Sequence, residues 1–239
     1  MLYTIACCQI GIFALFYFLE ISYPATHRPA PKHFNYWWAA LNIFSIFWTQ
    51  LALYAWIDID AIGYGPDGHP ALLGMALYVV YSFINYWAHR IKHSNRFLWN
   101  TIHKLHHSPS NMVSKLAFYR HPFEILFNTL VIFIFGKLLF NLPYEVVGVV
   151  LLIEGSLECF HHSNIKTPEK LLWIRFFIQT PEMHLVHHEY GKHRANYAPF
   201  LWDTVFGTAE FPRHEIQQLG FKNSHNVTPF LFFTKTLDK

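Results

Sequence analysis

Uncharged apolar stretches alternate with polar ones along the chain, and their lengths predict helices. Leu2 to Leu19 carries no charged residue, and roughly 18 or more such residues make a membrane-spanning candidate. A cleaved signal peptide is the rival, but it needs a basic leading segment, and no Lys or Arg precedes Arg28. A Pro-rich connector from Pro24 to Pro31 ends that helix. Trp37 and Trp38 then stand where an aromatic belt would anchor a second span, Trp38 to Ile57. Asp58, Asp60 and a turn from Gly63 to Gly68 follow, and a third apolar stretch, Ala71 to Ala88, runs straight into His89. Beyond a polar region from His89 to Pro122 come a fourth stretch, Phe123 to Phe140, and a tight break at Asn141, Leu142 and Pro143. The fifth, Tyr144 to Phe160, carries Glu145, Glu154 and Glu158. These last two are near the minimum length for crossing, so full spans and a hairpin dipping into the bilayer both fit. From Phe160 to Lys239 the chain stays polar. The expected fold is all-α, with four to five membrane-embedded helices beneath a histidine-rich cap. Residues 1–70 form a two-span N-terminal segment, 71–210 the catalytic domain and 211–239 a C-terminal tail.

Charge gives these stretches a direction. Of the 18 Lys and Arg residues, 17 fall in the connector near Arg28, between His89 and Pro122, or after Phe160. Lys137 is the exception, placed to snorkel to the opposite face. The positive-inside rule therefore expects the N-terminus outside and the polar, histidine-bearing segments in the cytoplasm. Composition agrees with a lipid setting: 53% of the 239 residues are hydrophobic and only 14% charged, against about 25% charged in soluble domains. No basic run is long enough to suggest nucleic acid. Cys7, Cys8 and Cys159 lie in apolar stretches and build neither a disulfide framework nor a metal knuckle. They are expected to be buried thiols.

Histidine changes the picture from a membrane helix bundle to a metal protein. Twelve of the 17 histidines lie between His89 and His193. HRIKH places His89 and His93 at i and i+4. HKLHH offers His103, His106 and His107, and HLVHH repeats that spacing with His184, His187 and His188. On a helix each set falls on one face. One zinc-type ion takes about four ligands, so eight imidazoles point to two metal ions. The donor set leaves iron, zinc, copper and nickel open, while H-E-x-x-H, the zinc-protease motif, is absent.

These motifs, with FHHSN (Phe160–Asn164), TPEMHLVHH (Thr180–His188) and NY…LWDTVFGT (Asn196–Thr208), resemble the fatty acid hydroxylase/sterol desaturase superfamily of integral-membrane oxygenases. The likeness covers roughly Trp87 to Thr208 and omits the first two spans. It implies a non-haem di-iron centre with O2 as co-substrate and hydroxylation or desaturation of a lipid. The ligands it implies are His89, His93, His103, His106, His107, His184, His187 and His188, with His162 from FHHSN and His161 the lesser choice. Where many hydroxylases of the family have a further histidine, this chain has Glu158. That carboxylate either ligates or orients a ligand, or simply faces a polar cavity. Asn196 and Asp203 lie in the family's C-terminal motif, where Asp203 either accepts a ligating histidine's second N–H or closes a turn. His121 and His193 stand outside the cluster spacing, and His27, His33, His69, His214 and His225 are expected in loops. Glu154, four residues before Glu158, is expected to face a substrate or proton path.

No nicotinamide or flavin fingerprint occurs, so electrons would come from a separate donor, a ferredoxin or a small haem protein with its reductase. Two other functions fit the histidines, a zinc hydrolase and a metal transporter. Transport sites usually sit at mid-membrane on broken helices, whereas these histidines lie in polar segments. The lipid itself is not encoded in any motif.

Overall fold

A computed structural model describes residues 2–26, 35–55, 61–63, 65–229 and 234–236. The connector residues His27, Arg28, Lys32 and His33, with Asp58, Asp60 and Tyr64, lie outside the described residues. Helices dominate. They are α1 (Leu2–Ser22), α2 (Tyr36–Ala55), α3 (Pro70–Ser94), the single turn α4 (Arg96–Leu98), α5 (Pro122–Phe133), α6 (Tyr144–His162), α7 (Pro181–His188) and the short α8 (Trp202–Val205). One small antiparallel ribbon, β1 (Val227–Pro229) with β2 (Thr234–Thr236), follows.

Local chemistry sets the helix starts. Proline opens α3, α5 and α7, where its missing N–H costs nothing. His69 and His121 cap the first two, each ring accepting a backbone N–H from Ala71 or Phe123. Two π-helical turns break the regularity: Trp99–His103 after α4, and Ile134–Leu139 at the end of α5. α3 continues without a break through His89 and His93, six residues beyond the apolar stretch seen in the sequence.

Leu77, Tyr78, Tyr81, Val131, Ile132, Val146 and Val150 form the main core, where α3, α5 and α6 meet. α3 packs closest on α6: a Cβ on Gly74 would stand 2.5 Å from the Val149 Cβ. α1 lies against α6, and α2 against α5. Residues 62 and 65 bond to Leu138 and Phe140, closing one end of the bundle. α1, α3 and α6 direct their C-terminal ends to the opposite end, while α2 and α5 start there. That end carries every histidine cluster. Glu20 secures it: its buried carboxylate accepts from Ser114 N and Oγ and from Asn164 N.

Among the described residues two helices are long and apolar enough to cross a membrane, Pro70–Ser94 and Pro122–Leu139. α1 carries a shorter apolar run, Cys7–Ser22. Cys159 is buried as expected, but Cys7 and Cys8 are exposed on the outer side of α1, because α6 takes the other side. The stretch after residue 210 packs rather than trails: Ile216 and Leu219 bury against Met112 and Val186.

Candidate metal centre

Nine histidines converge at the capped end in two adjoining groups. His89, His93, His103, His107 and His187 form one; His106, His162, His184 and His188 form the other. Within each group the ligand atoms lie within 4.8 Å of one another. The groups touch through His107 and His188, whose rings stack 4.1 Å apart. HKLHH is not the α-helical face its spacing predicts: the π-turn ends at His103 and plain turns carry His106 and His107. That geometry divides the motif, sending His103 and His107 to one group and His106 to the other. α7 divides HLVHH likewise, with His187 in the first group and His184 and His188 in the second.

Hydrogen bonds fix which nitrogen faces inward. His89 Nδ1 lies 2.6 Å from the Tyr197 carbonyl, and His187 Nδ1 lies 2.6 Å from that of Ala195. His162 Nδ1 lies 2.9 Å from the Glu158 carbonyl, and His106 Nδ1 faces the Tyr119 carbonyl more loosely at 3.4 Å. A carbonyl only accepts, so each of these Nδ1 atoms carries the proton, and a neutral ring then has a bare Nε2. His103 Nδ1 donates to Glu124 Oε1 at 2.9 Å, and Lys92 donates to the same oxygen. Burial is the main cause that keeps the rings neutral, pushing His103 down to about 4. Burial and then neighbouring histidines hold His106, His107, His184 and His188 well below the usual range. Burial does the same to His187.

Bare nitrogens then face one another between His89 and His103 and between His162 and His106, with the Nε2 atoms of His93 and His184 close beside them. His89 Nε2 stands 3.0 Å from His103 Nε2 and 3.1 Å from His93 Nε2. In the second group His162 Nε2 stands 3.1 Å from His106 Nε2 and 3.0 Å from His184 Nε2. His187 Nε2 is buried with no hydrogen-bond partner. Lone pairs gathered this closely repel, and burying them without donors is costly. A cation at the centre of each group removes both penalties, and neutral imidazole is the form that binds it. The donor set therefore fits two nitrogen-liking metal ions.

The other expected residues sit around the histidines. Glu158 is ion-paired to Arg120 and lies 3.5 Å from His161 Nε2, beside the four-histidine group. His161 is buried at 2% exposure with its ring 4.2 Å from that of His184. Among the described residues Asp203 makes no bond to a histidine: it accepts from Tyr197 N, Ala198 N and Thr208 Oγ1, and so shapes the loop whose Tyr197 carbonyl holds His89. Burial pushes its carboxyl up to about 6 despite those three donors. Asn196, at φ +54°, donates to the Met183 and Glu210 carbonyls and ties α7 to the same loop. His193 bridges the His187 and Gly220 carbonyls, and His121 serves as a helix cap. Sequence reasoning missed Glu124, Lys92 and Arg120 as parts of the site. A lone Glu at the start of an apolar stretch was the available signal for the first.

A helical scaffold of membrane-type apolar helices carrying a buried polyhistidine centre defines a class of metal proteins. The fatty acid hydroxylase family pattern matches residues 74–208, more than half the chain, and the chain belongs to that family. A sphingolipid C4-hydroxylase of Schizosaccharomyces pombe is 31% identical over 59% of this chain and 48% of its own length. The sphinganine C4-monooxygenase 2 of Arabidopsis thaliana is 31% identical over 52% of this chain and 48% of its own. The human alkylglycerol monooxygenase is 27% identical over 55% of this chain and 29% of its own. The chain thus spans about half or less of the curated relatives it matches. No solved structure matches it.

Proposed function

We propose that the protein is a membrane-bound lipid oxygenase whose nine histidines hold two iron ions. The observation carrying this is the pair of adjoining buried histidine groups, whose ligand atoms lie within 4.8 Å of one another and in which five rings turn a bare Nε2 inward. Family membership and relatives named for hydroxylation of sphingolipid and oxygenation of alkylglycerol favour redox chemistry on a lipid over a zinc hydrolase or a transporter. When bound, the irons would let O2, two electrons and two protons insert one oxygen into a lipid C–H bond and release the other as water, or remove two hydrogens and release two waters.

The chain's own residues hold that centre still. Tyr197, Ala195 and Glu158 carbonyls fix the tautomers of His89, His187 and His162, and Glu124 fixes His103. Arg120 holds Glu158 beside His161 and His162. Asn196 and Asp203 position the loop behind His89 and α7. The burial of these residues excludes bulk water, which an oxidant strong enough to attack C–H requires. Electrons come from a separate ferredoxin or small haem protein with its reductase. The alternating helix directions, with positive charge at the histidine end, support the N-terminus outside and the centre at the cytoplasmic surface.

The test is metal content and O2 consumption after dithionite reduction of detergent-purified, iron-loaded protein, beside His106→Ala. We expect about two irons per chain and O2 uptake, both diminished in the variant. Iron that fails to load, or intact iron that does not react with O2, would overturn the proposal.

A further inference from the structure

A cavity of about 240 Å³ opens between α1, α2, α5 and α6. Most of its wall is hydrocarbon, from Ile10, Phe13, Ile43, Ile46, Ile125 and Leu151. At one end stand Arg120, Asn128, Glu154 and Glu158, which also line a second, smaller space against His103, His106, His161 and His184. That smaller space measures about 40 Å³, room for roughly three water-sized groups at about 10–15 Å³ each. A larger apolar chamber and a much smaller polar one thus share these four residues. α1 and α2, which supply part of the apolar chamber, lie outside residues 74–208, the stretch the family pattern matches.

The wall carries two carboxylates against one guanidinium. Arg120 is ion-paired to Glu158 through one terminal nitrogen, and its buried Nε has no hydrogen-bond partner among the described residues. Among the described residues no cation is bonded to Glu154: the Tyr78 and Tyr81 hydroxyls donate to its two oxygens at 2.9 and 3.3 Å, leaving lone pairs on both. Asn128 makes no hydrogen bond among the described residues and adds a free amide.

We infer that the apolar chamber takes the tail of a single-chain lipid whose uncharged or cationic head, a hydroxyl or an amine, donates to Glu154 and Glu158 at the wall, so that the carbon offered to the histidines lies within a few bonds of that head. The last clause rests on the oxygenase proposal; the binding does not. A carboxylate head would bring its charge to a wall that already holds two carboxyl groups, with the guanidinium of Arg120 already ion-paired to Glu158, so its desolvation would be compensated less well than that of a hydroxyl or an amine. A mid-chain carbon reaches the histidines only if the head and the methylenes before it pass into the small chamber. Each methylene is comparable in size to a water, so that chamber admits the head and very little chain.

Binding and regiochemistry test this on purified, iron-loaded protein in detergent, with hexadecan-1-ol, hexadecylamine and palmitate as probes. The alcohol and the amine should bind, with palmitate weaker by about tenfold or more. A Cβ at Gly155 would meet nothing nearer than Gln9 Nε2 at 3.9 Å, so Gly155→Leu fills the chamber from α6 without straining it. Ile46→Trp fills it from α2. Either plugged variant that folds and keeps its iron should lose binding of the alcohol by about tenfold. Equal binding of palmitate, no binding of the alcohol, wild-type binding by both plugged variants, or oxidation of hexadecan-1-ol at mid-chain would each overturn the inference. Protein that binds the alcohol but never loads iron would instead sink the oxygenase proposal and leave the chamber's assignment standing.

Discussion

Replacing Glu124 by Ala removes one oxygen on which two groups depend. His103 Nδ1 and Lys92 Nζ both donate to Glu124 Oε1, and the Glu124 side chain is only 2% exposed. The loss has two parts. Lys92, 16% exposed, keeps its charge without a partner, and breaking a buried pair costs about 3–5 kcal/mol; partial exposure puts this case near about 3 kcal/mol. His103 loses the acceptor that holds its Nε2 toward the five-histidine group, and losing such an orienting carboxylate weakens metal binding by about 10–100-fold. That is about 1.4–2.8 kcal/mol of affinity. Chelator competition against iron-loaded protein reads the affinity, and thermal unfolding of metal-free protein reads the stability. Lys92→Met placed on Glu124→Ala should restore much of the stability, since no lone charge remains, but none of the affinity. Wild-type iron affinity in a folded Glu124→Ala protein would refute the orienting role. Restoration of affinity by Lys92→Met would show that the damage came from the stranded charge alone.

Further outcomes follow from the same geometry. His93→Ala leaves four histidines in its group whereas His184→Ala leaves three in its own, so metal analysis should find the first variant nearer to full loading; the reverse order would contradict the grouping. Gly74→Ala should destabilise by about 1–3 kcal/mol, since its Cβ would stand 2.5 Å from that of Val149. Gly11→Ala, with nothing within 4 Å, should be neutral or slightly stabilising in denaturation. Asp203 is raised in the fold to about 6 from 3.8, so the folded state holds its proton more tightly and loses stability as pH rises between those values. The loss reaches about 3 kcal/mol, and Asp203→Asn should remove that part of the pH dependence. Parallel curves for the two proteins between pH 4 and 6 would contradict this.

The helices were legible because apolar run length is a direct signal. Their ends were less so, since α3 carries His89 and His93 on the same helix as its apolar stretch. All nine grouped histidines were legible as candidates from spacing and resemblance. Their division between two groups was not, because it depends on the π-turn before His103, which changes where His106 and His107 point. Glu124, Lys92 and Arg120 looked like an isolated carboxylate and two positive charges. Their roles arise from contacts 21 to 38 residues away in sequence, between His103 and Glu124, Lys92 and Glu124, and Arg120 and Glu158. For Asp203 the sequence left a bond to a ligating histidine and a turn role both open; its carboxylate accepts backbone N–H groups of the turn, and Asn196 donates to the Met183 and Glu210 carbonyls, so both shape the supporting loop.

The division of HKLHH and HLVHH between both groups bears on how the centre matures. If the centre holds two ions as proposed, each segment is a strut common to two nests, and the ion that arrives first would immobilise most of the nest awaiting the second. The entropy of ordering is then spent largely once, and the second ion should bind an already shaped cage. Half-filled molecules should accordingly be scarce at every stage of metal supply, with empty and doubly occupied chains making up the population.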